Sequence, residues 1–341
     1  LVPGRTLSPE QTPGVFEAMM TGQSHHAEIG ALLALLASRT PTSDEILGAA
    51  RVMRAHVERV PTKLAPEQIV DTAGTGGAPK TFNVSTAAAI IAAAALRDSS
   101  GSNTSARAVA KHGNRSRTGR GSAEVLEKLG VNIHADRAVQ ARCLDEASIC
   151  FCFAIHHHPA TRHVMPVRQA LGFATIFNLL GPLTNPAGAR RQVMGVYDRR
   201  FLQPVAEALR DLGTKHAMVV HGNDGLDELS ISASTNVFIV RDGVVSEEVI
   251  SPKQLGLHMA SMEEVAARDL DHAAQLIRGV IDRTDRGPAR DMAMLNAAAT
   301  LVVADAAATV EVGLTLADRA INSGAASETL RRLVKVSAAT G

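Results

Sequence analysis

Asp71-Thr-Ala-Gly-Thr-Gly-Gly-Ala-Pro-Lys-Thr-Phe-Asn-Val-Ser-Thr86, running on into the apolar stretch Ala87 to Ala95, decides the fold of this 341-residue chain. Ile69 and Val70 before it read as the end of a strand, the glycines as a turn, and Ala87 to Ala95 as a helix whose first turn offers Asn83, Ser85 and Thr86. Glycine lets backbone N–H groups approach an anion without a Cβ in the way. A helix N-terminus adds positive potential through its unsatisfied donors. Such a turn either joins strand to helix and does nothing more, or it cradles a phosphate. Its spacing matches neither the G-x-x-x-x-G-K-[ST] nucleotide loop nor the G-x-G-x-x-G dinucleotide turn.

A second segment favours the phosphate reading. Val109-Ala-Lys-His-Gly-Asn-Arg115 places Lys111, His112, Asn114 and Arg115 where a strand runs out into a loop. From Lys80 to Arg120 seven basic residues face one acid, Asp98, in a chain of net charge +1, so the basicity is concentrated in this region. The bland alternative is a solvated basic face; the sharper expectation is a site for a polyanion.

The first residues are helical in pattern. Ile29, Leu32, Leu33 and Leu36 fall at i, i+3, i+4 and i+7, and a second helix starts near Ser43-Asp-Glu45 with Ile46, Ala50, Met53 and Val57 on one face. Pro61 and Pro66 then punctuate the chain. From Ile69 onward, short apolar strands (106–111, 149–155, 191–197, 216–221) alternate with helices that end at Gly130, Gly172 and Gly213. The expectation is an α/β protein: a small all-helical N-terminal lobe and a larger lobe with a mostly parallel sheet flanked by helices. The composition, 45% hydrophobic and 20% charged, suits a soluble globular protein, with no membrane span or signal segment expected, and the cytoplasm is the expected compartment. An aromatic content of 3% leaves little for stacking bases, so no nucleic-acid partner is expected. Cys150 and Cys152, at i and i+2 of one apolar strand, read with Cys143 as buried thiols.

Five motifs occur in order along the chain: the Gly-Thr-Gly-Gly turn with Thr81-Phe-Asn-Val-Ser-Thr86, Lys111-His-Gly-Asn-Arg115, His157-His-Pro-Ala-Thr-Arg-His-Val-Met-Pro-Val-Arg168, Phe177-Asn-Leu-Leu-Gly-Pro-Leu-Thr-Asn-Pro186 and Asp224-Gly-Leu-Asp-Glu228. Together they resemble anthranilate phosphoribosyltransferase, of the nucleoside phosphorylase-like phosphoribosyltransferases. The resemblance implies phosphoribosyl pyrophosphate held by Gly74, Gly77, Thr81, Asn83, Ser85, Thr86, Lys111, His112, Gly113, Asn114, Arg115 and Ser122. It implies anthranilate held by Gly74, Asn114 and Arg168, and magnesium (Mg2+) held by Ser85, Asp227 and Glu228. His112 is the candidate general base. It further implies that 166–185 returns to a helical lobe of 1–68, that 69–165 and 186–341 form the donor-binding lobe, and that the chain pairs as a homodimer through the helical lobe, to which the leucine face is suited.

The chain departs from that pattern in three places. Ala78 stands where the family has an acid, followed by Pro79 and Lys80; the loop from Ser116 to Gly121 is one residue short; and Leu96 to Ser105 reads as a polar insertion. Activity is expected to survive these changes with altered substrate affinity. His156, His157 and His158, read as extended, would point alternately to opposite sides and form no zinc face, and the resemblance makes them pocket wall. Two other readings stay open: a pyrimidine nucleoside phosphorylase-like enzyme, and a noncatalytic phosphoribosyl- or nucleic-acid-binding homologue.

Overall fold

The computed structural model describes residues 4–79, 81–98, 106–116 and 119–339. The chain opens with three helices, α1 (Gln11–Met20), α2 (His26–Ala37) and α3 (Ser43–Ala55). Thr42, one residue earlier than the sequence suggests, caps α3. Its hydroxyl accepts the Glu45 N–H at 3.2 Å while the Glu45 carboxylate accepts the Thr42 N–H at 2.9 Å, a reciprocal capping box. Glu45 is buried and held by Arg39 at 2.7 Å.

The α/β part runs β1 (Ile69–Gly74), α4 (Val84–Asp98), β2 (Ala108–Gly113), α5 (Ser122–Lys128), α6 (Arg137–Ala147) and β3 (Ile149–Phe153). Three short helices follow, α7 (Ala154–His157), α8 (Met165–Leu171) and α9 (Ile176–Leu180). The chain then completes the sheet with β4 (Arg191–Gly195), α10 (Leu202–Asp211), β5 (His216–Gly222), β6 (Thr235–Arg241) and β7 (Val244–Ile250). It closes with α11 (Leu270–Ile281), α12 (Pro288–Val303), α13 (Val310–Asn322) and α14 (Ala325–Ser337).

The sheet has seven strands in the order β3-β2-β1-β4-β5-β6-β7, with β1 to β5 parallel and β6 and β7 antiparallel. The last two form a hairpin around Asp242-Gly243, both at positive φ, of +48° and +83°. That Asp-Gly turn was the available signal for a hairpin. Helix α4 is buried on every side, and its alanines let α12, α13 and α14 lie against it while it covers β1 and β2. The inserted segment is partly helix: Leu96 to Asp98 end α4, while 99–105 lie outside the described residues, as do Lys80 and 117–118.

Two apolar clusters organise the molecule. One surrounds α4 and the helices α11 to α14. The other joins α1, α2, α3, α8 and α9 to α10 and one face of β4 to β6. Helix α8 packs on α2, and α9 on α2 and α3. This accounts for the leucine face of α2: Ile29, Leu33 and Leu36 are buried inside the lobe's own core, so they are not the surface left for a second subunit.

The three histidines are not extended. His156 and His157 end the single turn α7, and they and His158 part company: His156 meets His134 at 3.0 Å, His157 bonds the Glu58 carbonyl at 2.6 Å and the Gln140 side chain at 2.9 Å, and His158 meets His112 at 3.2 Å. Among the described residues no group of three His, Cys, Asp or Glu could hold a metal, and no helix is long and apolar enough to cross a membrane. Cys150 and Cys152 do face one side of β3, their sulfurs 3.7 Å apart in the interior.

Candidate functional site

Strand order reverses at β1: the chain moves outward through β2 and β3, then returns to β4 on the other flank. Loops leaving the carboxyl ends of β1 and β4 therefore diverge, and the crevice between them is where open α/β sheets bind ligands. Four strands, β1, β2, β4 and β5, end in glycine at Gly74, Gly113, Gly195 and Gly222. These glycines make room for the next layer. A Cβ at Gly74 would lie 2.6 Å from the Asp227 carboxylate, one at Gly195 1.7 Å from the Asp227 carbonyl oxygen, and one at Gly113 2.1 Å from the Ser122 hydroxyl.

The turn after β1 is fixed at several points. Thr75 donates its N–H to the Gly195 carbonyl at 2.9 Å and its hydroxyl accepts the Tyr197 N–H at 3.0 Å. Gly76 donates its N–H to Asp227 at 3.0 Å. Phe82 anchors the far side in the core. Asn83 is not in the first helical turn; it precedes α4 in the left-handed region at φ +66°, and its amide donates to the Arg120 carbonyl at 3.0 Å. The glycine turn and the loop after β2 are thus bound together across the crevice.

Beneath the turn three segments meet. Lys111 is buried, its ammonium donating to the Thr72 carbonyl at 2.8 Å and to the Ser85 hydroxyl at 3.1 Å. The Ser85 N–H donates to Glu228 at 3.3 Å. Burial lowers the Lys111 pKa against the pull of Asp71 and Glu228. Burial and the neighbouring Asp227 push Glu228 up to about 8, although the residue keeps some exposure. Asp71, wholly buried, is pushed up to about 6 by loss of water, despite hydrogen bonds from the Asn185 amide at 2.8 Å and the His112 N–H at 3.1 Å. Burial, with His158 second, holds the His112 pKa well below the usual histidine value. The Thr86 hydroxyl is buried with no hydrogen-bond partner among the described residues.

The other expected residues spread more widely. Gly77, Asn114 and Arg115 are exposed, and Thr81 and Ser122 half-buried. Arg115 pairs with Glu127 at 2.9 Å and lies over the Phe153 ring at 5.8 Å. The Asn114 carbonyl takes the Ser122 hydroxyl at 3.4 Å. The basic run is not one patch. Arg97, at the far end of α4, bonds Thr329 at 3.1 Å, and Arg107 enters β2 at the strands' amino ends, whereas Lys111 lies toward the carboxyl end of β2 and Arg115 and Arg120 beyond it. Arg168, on α8, stands over the Phe177 ring at 5.4 Å and bonds Asn178 at 3.3 Å. Asn178, Thr75 and Tyr197 were not singled out in the sequence. Thr75 and Asn178 lay within quoted motifs and Tyr197 did not, and nothing in their spacing distinguished Thr75 or Asn178 from a turn or loop former.

Paired carboxylates and a hydroxyl beside a glycine turn at a strand switch, with a helical lobe attached, suit a substrate that carries phosphate with a divalent cation. A family model described as "Glycosyl transferase family, a/b domain" matches residues 66–327, and one described as "Glycosyl transferase family, helical bundle domain" matches 1–57. The anthranilate phosphoribosyltransferase of Thioalkalivibrio sulfidiphilus is 44% identical over 97% of this chain and 95% of its own length. The chain belongs to the anthranilate phosphoribosyltransferase family. The crystal structure of that enzyme from Thermus thermophilus superposes with a TM-score of 0.90 at 36% identity, covering 99% of this chain and 98% of the other. A Saccharomyces cerevisiae structure described as in complex with PRPP and Mg shares the fold at 23% identity, with a TM-score of 0.83 over 97% and 93% of the two chains.

Proposed function

We infer that this chain transfers the phosphoribosyl group of phosphoribosyl pyrophosphate to the amine of anthranilate, giving N-(5-phosphoribosyl)anthranilate and pyrophosphate in tryptophan biosynthesis. The observation that carries the reading is the meeting of Ser85, Lys111 and Glu228 under the glycine turn, from three separate segments, at contacts of 3.1 and 3.3 Å.

The reaction breaks the bond from ribose C1 to pyrophosphate, so cationic charge grows on the sugar and anionic charge on the leaving group. The backbone N–H groups around Gly74 to Gly77 and the side chains of Thr81, Asn83, Ser85 and Thr86 hold the donor, with Gly113, Asn114, Arg115 and Ser122 from across the crevice. Lys111 contributes positive potential from below, with two of its three donors engaged by Thr72 and Ser85. Arg168, Asn114 and the Gly74 backbone hold anthranilate, the planar guanidinium matching its carboxylate through two parallel hydrogen bonds. The aromatic amine attacks without a covalent enzyme intermediate. His112 is kept neutral, the state a proton acceptor needs, but its lowered basicity limits what it can add.

The donor set fits Mg2+: Asp227, Glu228 and the Ser85 hydroxyl are hard oxygen ligands, few enough to leave room for water and phosphate oxygens. Two adjacent carboxylates, one of them reluctant to ionise, also call for a cation. When bound, the ion neutralises charge on the departing pyrophosphate.

We assign the lobes as 1–68 with 166–185, and 69–165 with 186–341, and propose a homodimer through the helical lobe. With Ile29, Leu33 and Leu36 turned inward, the exposed alanines of α2, Ala27, Ala31 and Ala37, are what that helix offers a partner.

Purified protein mixed with phosphoribosyl pyrophosphate, anthranilate and Mg2+ is expected to extinguish anthranilate fluorescence, and chelation should stop it. Binding of the donor without that loss would refute the transferase reading. Phosphorolysis of thymidine or uridine would instead establish the phosphorylase alternative.

A further inference from the structure

We propose that Asn178 is a positioning residue that aims the Arg168 guanidinium at the acceptor and ties it to the glycine turn over which the donor lies. The inference rests on the reading of Arg168 as the group that takes the acceptor's carboxylate.

Asn178 stands in the first turn of α9. Two donors converge on one end of its side chain, an Arg168 Nη at 3.3 Å and the Thr175 N–H at 3.1 Å. An amide has a single acceptor end, so that end is the oxygen, and the NH2 faces the other way. There it meets the Thr75 carbonyl at 3.5 Å, in the middle of the glycine turn. One side chain therefore links the helical lobe's arginine, the start of α9 and the turn of the α/β lobe.

The chemistry explains why the linker is an amide. Arg168 is largely buried, and burial lowers its pKa. None of the ion pairs among the described residues includes it. A neutral oxygen orients the guanidinium while leaving its charge for an anionic ligand. A carboxylate in the same place would orient it and neutralise it. The Phe177 ring, 5.4 Å from the guanidinium carbon, limits its movement on another side. Acceptor held by Arg168 is in this way registered against the turn that holds the donor, which is what displacement at ribose C1 requires.

Steady-state kinetics of the full chain test the assignment. Asn178→Ala is expected to raise the anthranilate KM about tenfold, the scale of one hydrogen bond to a charged group, with the phosphoribosyl pyrophosphate KM and kcat within about twofold. Asn178→Asp should raise the anthranilate KM further, because it pairs the guanidinium internally. In an Arg168→Ala background, Asn178→Ala should add nothing to the anthranilate KM. Donor binding measured by calorimetry should be retained in each variant, showing that the turn persists. Equal changes in both KM values, or additivity with Arg168→Ala, would overturn the proposal. If Arg168→Ala alone leaves the anthranilate KM unchanged, the carboxylate reading of Arg168 fails first, and this inference with it.

Discussion

A Cβ at Gly195 would sit 1.7 Å from the Asp227 carbonyl oxygen and 2.5 Å from its carbonyl carbon, distances no real contact reaches. The neighbour is backbone, so a small rotation cannot relieve the clash; the segment carrying Asp227 and Glu228 must move. Gly195→Ala is therefore expected to cost about 1–3 kcal/mol of stability, the usual penalty for overpacking. It should also lower metal-dependent turnover by on the order of 100-fold, since small displacements of positioning groups cost about that much. Chemical denaturation and an Mg2+ titration of activity check the two parts. Unchanged turnover would mean that the position of Asp227 does not matter to the reaction. Gly74 works in the same way from the other side, with the Asp227 carboxylate 2.6 Å from the space a side chain would need. The site is shaped as much by missing Cβ atoms as by the side chains that line it.

Within single elements, local chemistry and packing can be told apart. Gly14 lies exposed in α1, and a Cβ built there has nothing within 4 Å. Glycine in a helix interior costs roughly 0.5–1 kcal/mol relative to alanine. Gly14→Ala should raise stability by about that amount and leave kcat unchanged, which thermal unfolding with a parallel activity assay will show. A destabilised variant would mean that the surface at Gly14 is covered in solution. Helix α4 is the contrary case. Its buried alanines set how closely α12, α13 and α14 approach, so a larger side chain there would displace the helix whose amino end carries Ser85 and Thr86.

At the scale of the whole molecule, buried titratable groups pull the pH dependence of stability in opposite directions. Burial, with His157 second, holds His158 down at about 4. The unfolded chain binds that proton near pH 6.5 and the folded chain refuses it until about pH 4. The contribution is complete above pH 6.5 and is lost as the pH falls toward 4, at most about 3 kcal/mol. Asp71 acts in the opposite sense. Its folded value of about 6 lies above the unfolded one, so it favours the fold as the pH falls, by a similar amount. These two nearly cancel. His112, His157 and His216 are also lowered, chiefly by burial, and act with His158, whereas Glu228, pushed up to about 8, acts with Asp71. In urea midpoints measured from pH 7.5 down to 4.5, His158→Gln should gain on the parent chain as the pH falls, by up to about 3 kcal/mol. A variant whose midpoints run parallel to those of the parent chain would contradict this.

The sequence by itself determined the strand, glycine turn and helix at 69–98, the α/β alternation, the buried thiols of β3 and the chain's family, because period, turn residues and motif order are local properties carried by neighbouring residues. Tertiary structure decided the rest. Arg97 and Arg107 belong to the same basic run as Lys111, yet a helix antiparallel to its strands carries them to the opposite end of the sheet. Ile29, Leu33 and Leu36 look the same in sequence whether they face a partner or their own lobe, and only the docking of α8 and α9 settles which. Asn178 becomes distinctive only when Thr75, 103 residues away, comes within 3.5 Å of it. Spacing along a chain reports which side of an element a residue occupies. What that side meets depends on contacts between distant segments, which no local pattern encodes.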